Sequence, residues 1–179
     1  MNETLASSMS PAFLVTTLSV TVALLATIVL FITINEYTRL RRLRREFQDF
    51  EENWKQEMQK TQKAMQRVVA SYQINDPDQR IKILESAVAI DPGVYNGYNA
   101  LGYAHLDKGD TAGAVDAFKE AIHQHPEQIE GYCDLARAYL KQGQESLARK
   151  YLARAEHIDA SAVRQGLQGD DFLEHLLDK

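Results

Sequence analysis

The sequence predicts an all-α chain: a single transmembrane helix, then an amphipathic, coiled-coil-like stalk helix, then a short α-solenoid. Three observations predict it. Residues 12–34 form an uncharged apolar run, residues 37–73 contain neither Gly nor Pro and keep a helical apolar period, and the chain from residue 95 repeats itself at an offset of 34 residues. Its 179 residues leave room for about one ordinary domain plus an extra element. The 45% hydrophobic and 25% charged composition is that of a soluble protein on average. That average conceals a division, because Glu3 is the only charged side chain before residue 35.

The apolar run is the first element. As a helix, residues 12–34 extend about 34 Å, enough for a hydrocarbon core of roughly 30 Å. A soluble helix of this length would carry a polar face. A cleaved signal peptide would begin with basic residues and end at a small-residue site. Here residues 1–11 hold no Lys or Arg, and no such site precedes Glu36, so the run reads as an uncleaved anchor. Five arginines follow it: Arg39, Arg41, Arg42, Arg44 and Arg45. By the positive-inside rule this collar places the C-terminal side in the cytoplasm, and residues 1–11 become a short extracytoplasmic tail. The chain is then a single-pass membrane protein, N-terminus out, whose collar also suits anionic lipid head groups. Asn2-Glu3-Thr4 is formally a glycosylation sequon, which chance explains better so close to the membrane. Ser19, Ala23 and Thr27 make a weak small-residue row for helix approach.

Charge excludes one class of function. Setting aside the five collar arginines, Glu3 and Glu36 leaves 15 basic and 23 acidic residues, a net of −8 over residues 46–179. An acidic domain behind one basic collar argues against nucleic acid as a partner, because that needs an extended positive surface. The single cysteine, Cys133, rules out an intrachain disulfide framework.

The stalk, residues 35–73 with the collar at its start, carries bulky residues at Leu40, Leu43, Phe47, Phe50, Trp54, Met58, Thr61, Met65, Val68 and Tyr72. The steps of three and four describe a heptad seam with one stutter between Trp54 and Met58. One amphipathic helix packing on its own domain would give a similar pattern. The expectation favoured here is a parallel coiled coil, a homodimer through Leu40, Leu43, Phe47, Phe50 and Trp54. A second copy in the same membrane is the nearest partner, and confinement raises its effective concentration. The large aromatics also suit docking of another protein.

The repeats come next. Aligning residues 95–128 with 129–162 pairs Tyr98 with Tyr132, Leu101-Gly102 with Leu135-Ala136, Ala104 with Ala138 and Gly109 with Gly143. It also pairs Ala114 with Ala148, Phe118 with Leu152 and Ala121 with Ala155. Small residues at these places let two helices of a hairpin approach, the glycines permit the turn, and Pro126 ends a helix.

This pattern resembles the tetratricopeptide repeat. Residues 95–128 depart from it only at His105, where an aromatic is usual. Residues 129–162 supply Tyr139 there but have Ala136, Leu152 and Ala160 in place of Gly, an aromatic and Pro. Leu84, Ala87 and Pro92 fit a degenerate first repeat over 61–94, overlapping the stalk end, with Arg80 as a poor fit where a small residue is usual and a turn at Asn75–Asp78. Residues 163–179 read as a capping helix. Gly166 and Gly169 interrupt it, Asp171 and Glu174 form a capping-box-like start, and Phe172, Leu173, Leu176 and Leu177 give it an apolar face.

The resemblance implies a protein- or peptide-binding groove lined by the first helix of each repeat. Carried over by position, the lining residues are Asn96, Asn99, Tyr103, Leu106 and Asp107 in one repeat, and Glu130, Cys133, Asp134, Arg137 and Lys141 in the next. Family members that clamp a C-terminal carboxylate use a Lys and two Asn. Asn99, Ala100, Tyr103 and Asp134 stand at those positions, so that clamp is absent. No catalytic set, metal site or cofactor loop is expected: His123 and His125 are two apart on a helix, and Cys133 has no His–Asp neighbours in sequence. The expected function is a non-enzymatic membrane-anchored adaptor or scaffold, such as an assembly or quality-control factor for a membrane complex. The alternative is a structural subunit that self-associates through stalk and repeats.

Overall fold

The computed structural model describes residues 10–168 together with 173 and 176. The expected tail, its sequon, and the helix start at Asp171 and Glu174 with Phe172 and Leu177 lie outside the described residues. Six helices cover the rest: α1 (Pro11–Ser71), α2 (Pro77–Ile90), α3 (Gly97–Lys108), α4 (Thr111–Gln124), α5 (Ile129–Lys141) and α6 (Glu145–Gly166). No strand is present among the described residues. The chain divides into two compact units, Met1–Lys55 and Gln56–Lys179. Helix α1 gives residues 11–55 to the first and 56–71 to the second.

In the first unit α1 starts where its sequence tells it to. Ser10 accepts the Phe13 amide at 3.3 Å through its hydroxyl, and Pro11 occupies the first helical position, where a missing N–H costs nothing. The helix holds a window of mean hydropathy 2.5, none of it buried, so by length and composition it is able to cross a membrane. The hydroxyls of Thr16, Thr21, Thr27 and Thr33 each donate to a carbonyl three or four residues back, at 2.8–2.9 Å. Polar groups satisfied within their own helix are compatible with a hydrocarbon surrounding. Helix α1 continues without a break through the collar, where the Arg41 guanidinium stacks 4.8 Å from the Tyr37 ring centre.

The second unit is a stack of helical hairpins. Residues 56–71 of α1 pair with α2: Ala64 and Val68 share a buried cluster with Ile81, Leu84 and Ala87. Thr61 donates to Asp91 at 2.7 Å, and Arg67 to the Ser86 carbonyl at 3.0 Å. The buried face here is Ala64, Val68 and Ser71, whereas Tyr72, on the expected seam, is exposed. Ala64 lets α2 approach closely, and the seam residues Val68 and Met65 fill the space beside it. Helix α2 then begins with Pro77 behind Asp76, whose carboxylate accepts the Asp78 amide at 3.1 Å.

The hairpins α3–α4 and α5–α6 repeat the arrangement. Gly109 and Gly143 take φ of 85° and 72°, the left-handed turn that side chains resist. Gly102 lies under the Phe118 ring, and a Cβ there would overlap it. Phe118, Leu135 and Leu152 are at most 2% exposed, each burial contributing about 1.5–3 kcal/mol.

The 34-residue period is also written in the backbone. Asp91, His125 and Asp159 leave the helical region at φ/ψ of −141°/100°, −135°/70° and −153°/95°. The first two end α2 and α4, and the third breaks α6. Past it the Asp159 carboxylate accepts the Ser161 and Ala162 amides at 3.0 and 2.9 Å and so starts a new helical segment. That segment buries Val163 and Leu167 in the same cluster as Leu152, Leu173 and Leu176.

Candidate functional site

The first helices of the hairpins place their free faces around one cavity of about 520 Å³. Helix α3 and its entry contribute Asn96, Asn99 and Tyr103. Helix α5 contributes Ile129, Glu130, Cys133, Asp134 and Arg137, and the segment after the Asp159 break contributes Ala162, Val163, Gln165, Gly166 and Leu167. Spacing of three and four along α3 and α5 brings these side chains to one face. Seven of the ten residues expected from sequence therefore meet here. The other three do not: Leu106 packs against the core, Lys141 is exposed away from the cavity, and Asp107 is held by Arg80.

The polar centre of the cavity is a buried carboxylate. Asp134 is 7% exposed. The Tyr103 hydroxyl donates to its Oδ1, and Arg137 Nη1 donates to the same oxygen at 2.7 Å and to the Tyr103 oxygen at 3.0 Å. Burial pushes the Asp134 carboxyl above its ordinary value of 3.8, against the opposing pull of the Tyr103 and Arg137 hydrogen bonds. Tyr103 is fixed from behind by an edge-to-face contact with Phe118, ring centres 5.5 Å apart. The exposed Glu130 and the Asn99 carboxamide also face the space; the carboxamide has no hydrogen-bond partner among the described residues although Asn99 is only 8% exposed. An uncommitted amide beside apolar Ile129, Val163 and Leu167 suits a ligand that brings backbone donors and acceptors plus an apolar side chain.

A second cavity of about 270 Å³ shares Asn96 and Tyr103 with the first and adds Ser71, Tyr72, Arg80 and Ala100. Asn96 holds a left-handed backbone, φ 59°, which Asn tolerates better than most side chains, and its amide donates to the Tyr72 hydroxyl at 2.6 Å. Arg80 reaches across to Asp107, and Lys108 meets Asp78 at 2.7 Å, tying α2 to α3 twice. Sequence reasoning singled out Arg80 only as a misfit. That misfit was the available signal, since a charged residue at a small-residue position must find a partner or leave the core. The wall formed by residues 162–167 was also missed as a site. Counting another 34 residues from Ile129 would have placed Val163 at the start of a further first helix.

Among the described residues no cluster of His, Cys, Asp and Glu is arranged to hold a metal ion. What the geometry provides is a concave, partly apolar surface with fixed hydrogen-bonding groups, carried on paired helices: a tetratricopeptide-like solenoid. Residues 105–169 match the family model of the tetratricopeptide repeat. A yeast protein, small glutamine-rich tetratricopeptide repeat-containing protein 2 of Saccharomyces cerevisiae, is 31% identical over 104 residues, 58% of this chain. The match spans 28% of that relative's length. The crystal structure of MamA superposes with a TM-score of 0.52 at 23% identity, over 58% of this chain and 63% of the other. These matches support a tetratricopeptide repeat protein, and proteins of this kind are generally protein-interaction adaptors.

Proposed function

We propose that this chain is a membrane-anchored adaptor, non-enzymatic, that recruits a protein or peptide to the cytoplasmic face of a membrane. The apolar run of α1 is the anchor, the collar Arg39–Arg45 sets its direction with the N-terminus outside, and the cavity between α3 and α5 is the recruiting surface. The observation that carries the reading is the cavity itself. Buried Asn99 presents an uncommitted amide next to apolar walls, while Tyr103, Asp134 and Arg137 hold one another in place, so the surface is organised before a ligand arrives. The anchor draws on the length and hydropathy of α1 and on its internally bonded threonines. An assembly or quality-control role for a membrane complex fits an adaptor fixed at a membrane.

A second reading, a structural subunit that self-associates through stalk and repeats, draws on the exposed stripe Leu40, Leu43, Phe47, Phe50 and Trp54, each at least 51% exposed.

Photocrosslinking from position 165, on the wall of the same cavity, in native membranes tests the groove. The comparison is with Asn99→Ala/Glu130→Gln, which leaves the Tyr103–Asp134–Arg137 network intact. Discrete adducts lost in the double variant support the adaptor. An unchanged adduct set, or adducts of the chain with itself alone, sinks it.

A further inference from the structure

The exposed stripe of α1 needs an occupant, and the charges beside it say which. Residues 11–55 are one unbroken helix, so Leu40, Leu43, Phe47, Phe50 and Trp54 stand on one side of it, all exposed. At about 100° per residue, Arg39 and Glu46 flank this stripe on one edge, and Arg44 and Glu51 on the other. In a parallel pair of helices, a residue on the first edge faces the residue five positions further along on the partner's second edge. For two copies of this chain that sets Arg39 against Arg44 and Glu46 against Glu51, on both sides of the seam. Every flanking pair is then like-charged.

Two copies anchored through the same apolar run with the same orientation can meet only in parallel. The antiparallel arrangement, which would bring the arginines onto the glutamates, is closed to them. We propose that this stripe docks the helix of a different membrane-anchored protein, one carrying acidic residues level with Arg39 and Arg44 and basic residues level with Glu46 and Glu51. This rests on the anchor in the function proposed above and not on the groove. It replaces the homodimer with a heterotypic pair: the apolar seam supplies the attraction and the flanking charges choose the partner.

A charge-reversed copy of the chain has the stated chemistry and serves as the probe. Arg39→Glu, Arg44→Glu, Glu46→Lys and Glu51→Lys keep Arg41, Arg42 and Arg45 and leave the apolar stripe untouched. Full-length chains are labelled at Gln48→Cys in a Cys133→Ala background and reconstituted in vesicles of neutral lipid. Energy transfer is then measured for wild type with wild type, reversed with reversed, and wild type with reversed. The mixed pair is expected to associate at least about tenfold more tightly than either like pair, with the preference shrinking at high salt. Wild-type copies that pair as tightly as the mixed pair overturn the inference, as does the absence of transfer in all three. Washing the vesicles at alkaline pH separates the two levels. A chain that washes out overturns the anchor, and with it the parallel geometry, whereas a retained chain confines any failure to the stripe.

Discussion

Leucine, valine, isoleucine and phenylalanine are placed in opposite ways in the two units. In residues 11–55 they point outward all round the helix: Leu24, Leu25, Val29 and Phe31 are each more than half exposed. In residues 56–168 the same residue types turn inward, and Leu84, Phe118 and Leu135 are completely enclosed. Neither arrangement breaks the rule that apolar surface leaves water. The first unit satisfies it when the surrounding medium is itself apolar. The second satisfies it with its own neighbours, because small residues such as Ala64, Ala87, Gly102 and Ala136 let helices approach. A chain-wide hydropathy average merges two solutions to one problem.

Substitutions that act on one unit and spare the other would sharpen or break this contrast. The largest effect is expected in the first unit. Val22→Arg/Leu25→Arg puts two charges in the middle of the apolar run, disfavouring insertion by about 5–7 kcal/mol. The variant should lose resistance to alkaline extraction from membranes while the unfolding of the repeats stays as in wild type. Full retention would mean that the run is not what holds the chain. Next comes Phe118→Ala, which removes a wholly enclosed ring between α3 and α4 and should destabilise the repeats by about 3–5 kcal/mol. Urea unfolding followed by the near-ultraviolet signal of the tyrosines reports it, with membrane retention unchanged. A shift below about 1 kcal/mol would show that the site collapses to fill the gap.

The smallest effect is a matter of pH. Burial raises the Asp134 carboxyl above 3.8, so just above that pH the folded state holds a proton that the unfolded state has already released. Stability therefore falls as pH rises through this window. Asp110 and Asp159 act oppositely. The Gly113 and Ala162 amides, respectively, lower their carboxyls, and the stability these give is present above 3.8 and lost as pH falls below it. Asp134→Asn should remove only the first contribution, so its stability relative to wild type should improve from pH 4 to neutrality in denaturation curves. A constant offset across that range would mean that Asp134 titrates alike in both states.

Much of the helical architecture was legible because it is periodic. Tyr98 and Tyr132, Gly109 and Gly143, and Ala121 and Ala155 announce a hairpin recurring every 34 residues, and the structure has all-α hairpins there. What was not legible depends on single residues answering to partners distant in sequence. Asn96 adopts a left-handed backbone beside the Tyr72 hydroxyl, 24 residues away, and no local pattern specifies that pairing. Past Met58 the seam residues Met65 and Val68 do face the α2 core, but the spacing of bulky residues gave no sign of Ala64, which lets α2 approach, nor that Tyr72 stays exposed. In the candidate site, position alone indicated Asn99, Glu130, Cys133 and Arg137. It could not show that Tyr103, Asp134 and Arg137 bind one another, nor that Arg80 withdraws Asp107 from the groove.

The break at Asp159 has a consequence for anyone wishing to lengthen the array. Without it, α6 would run on for its full 22 residues and leave Val163 and Leu167 in water. With it, the chain turns at the same point of the period as at Asp91 and His125, and Val163 and Leu167 return to the core. The break is therefore a register mark: a repeat spliced in or removed keeps the stack in phase only when the cut runs from one such break to the next, 34 residues away.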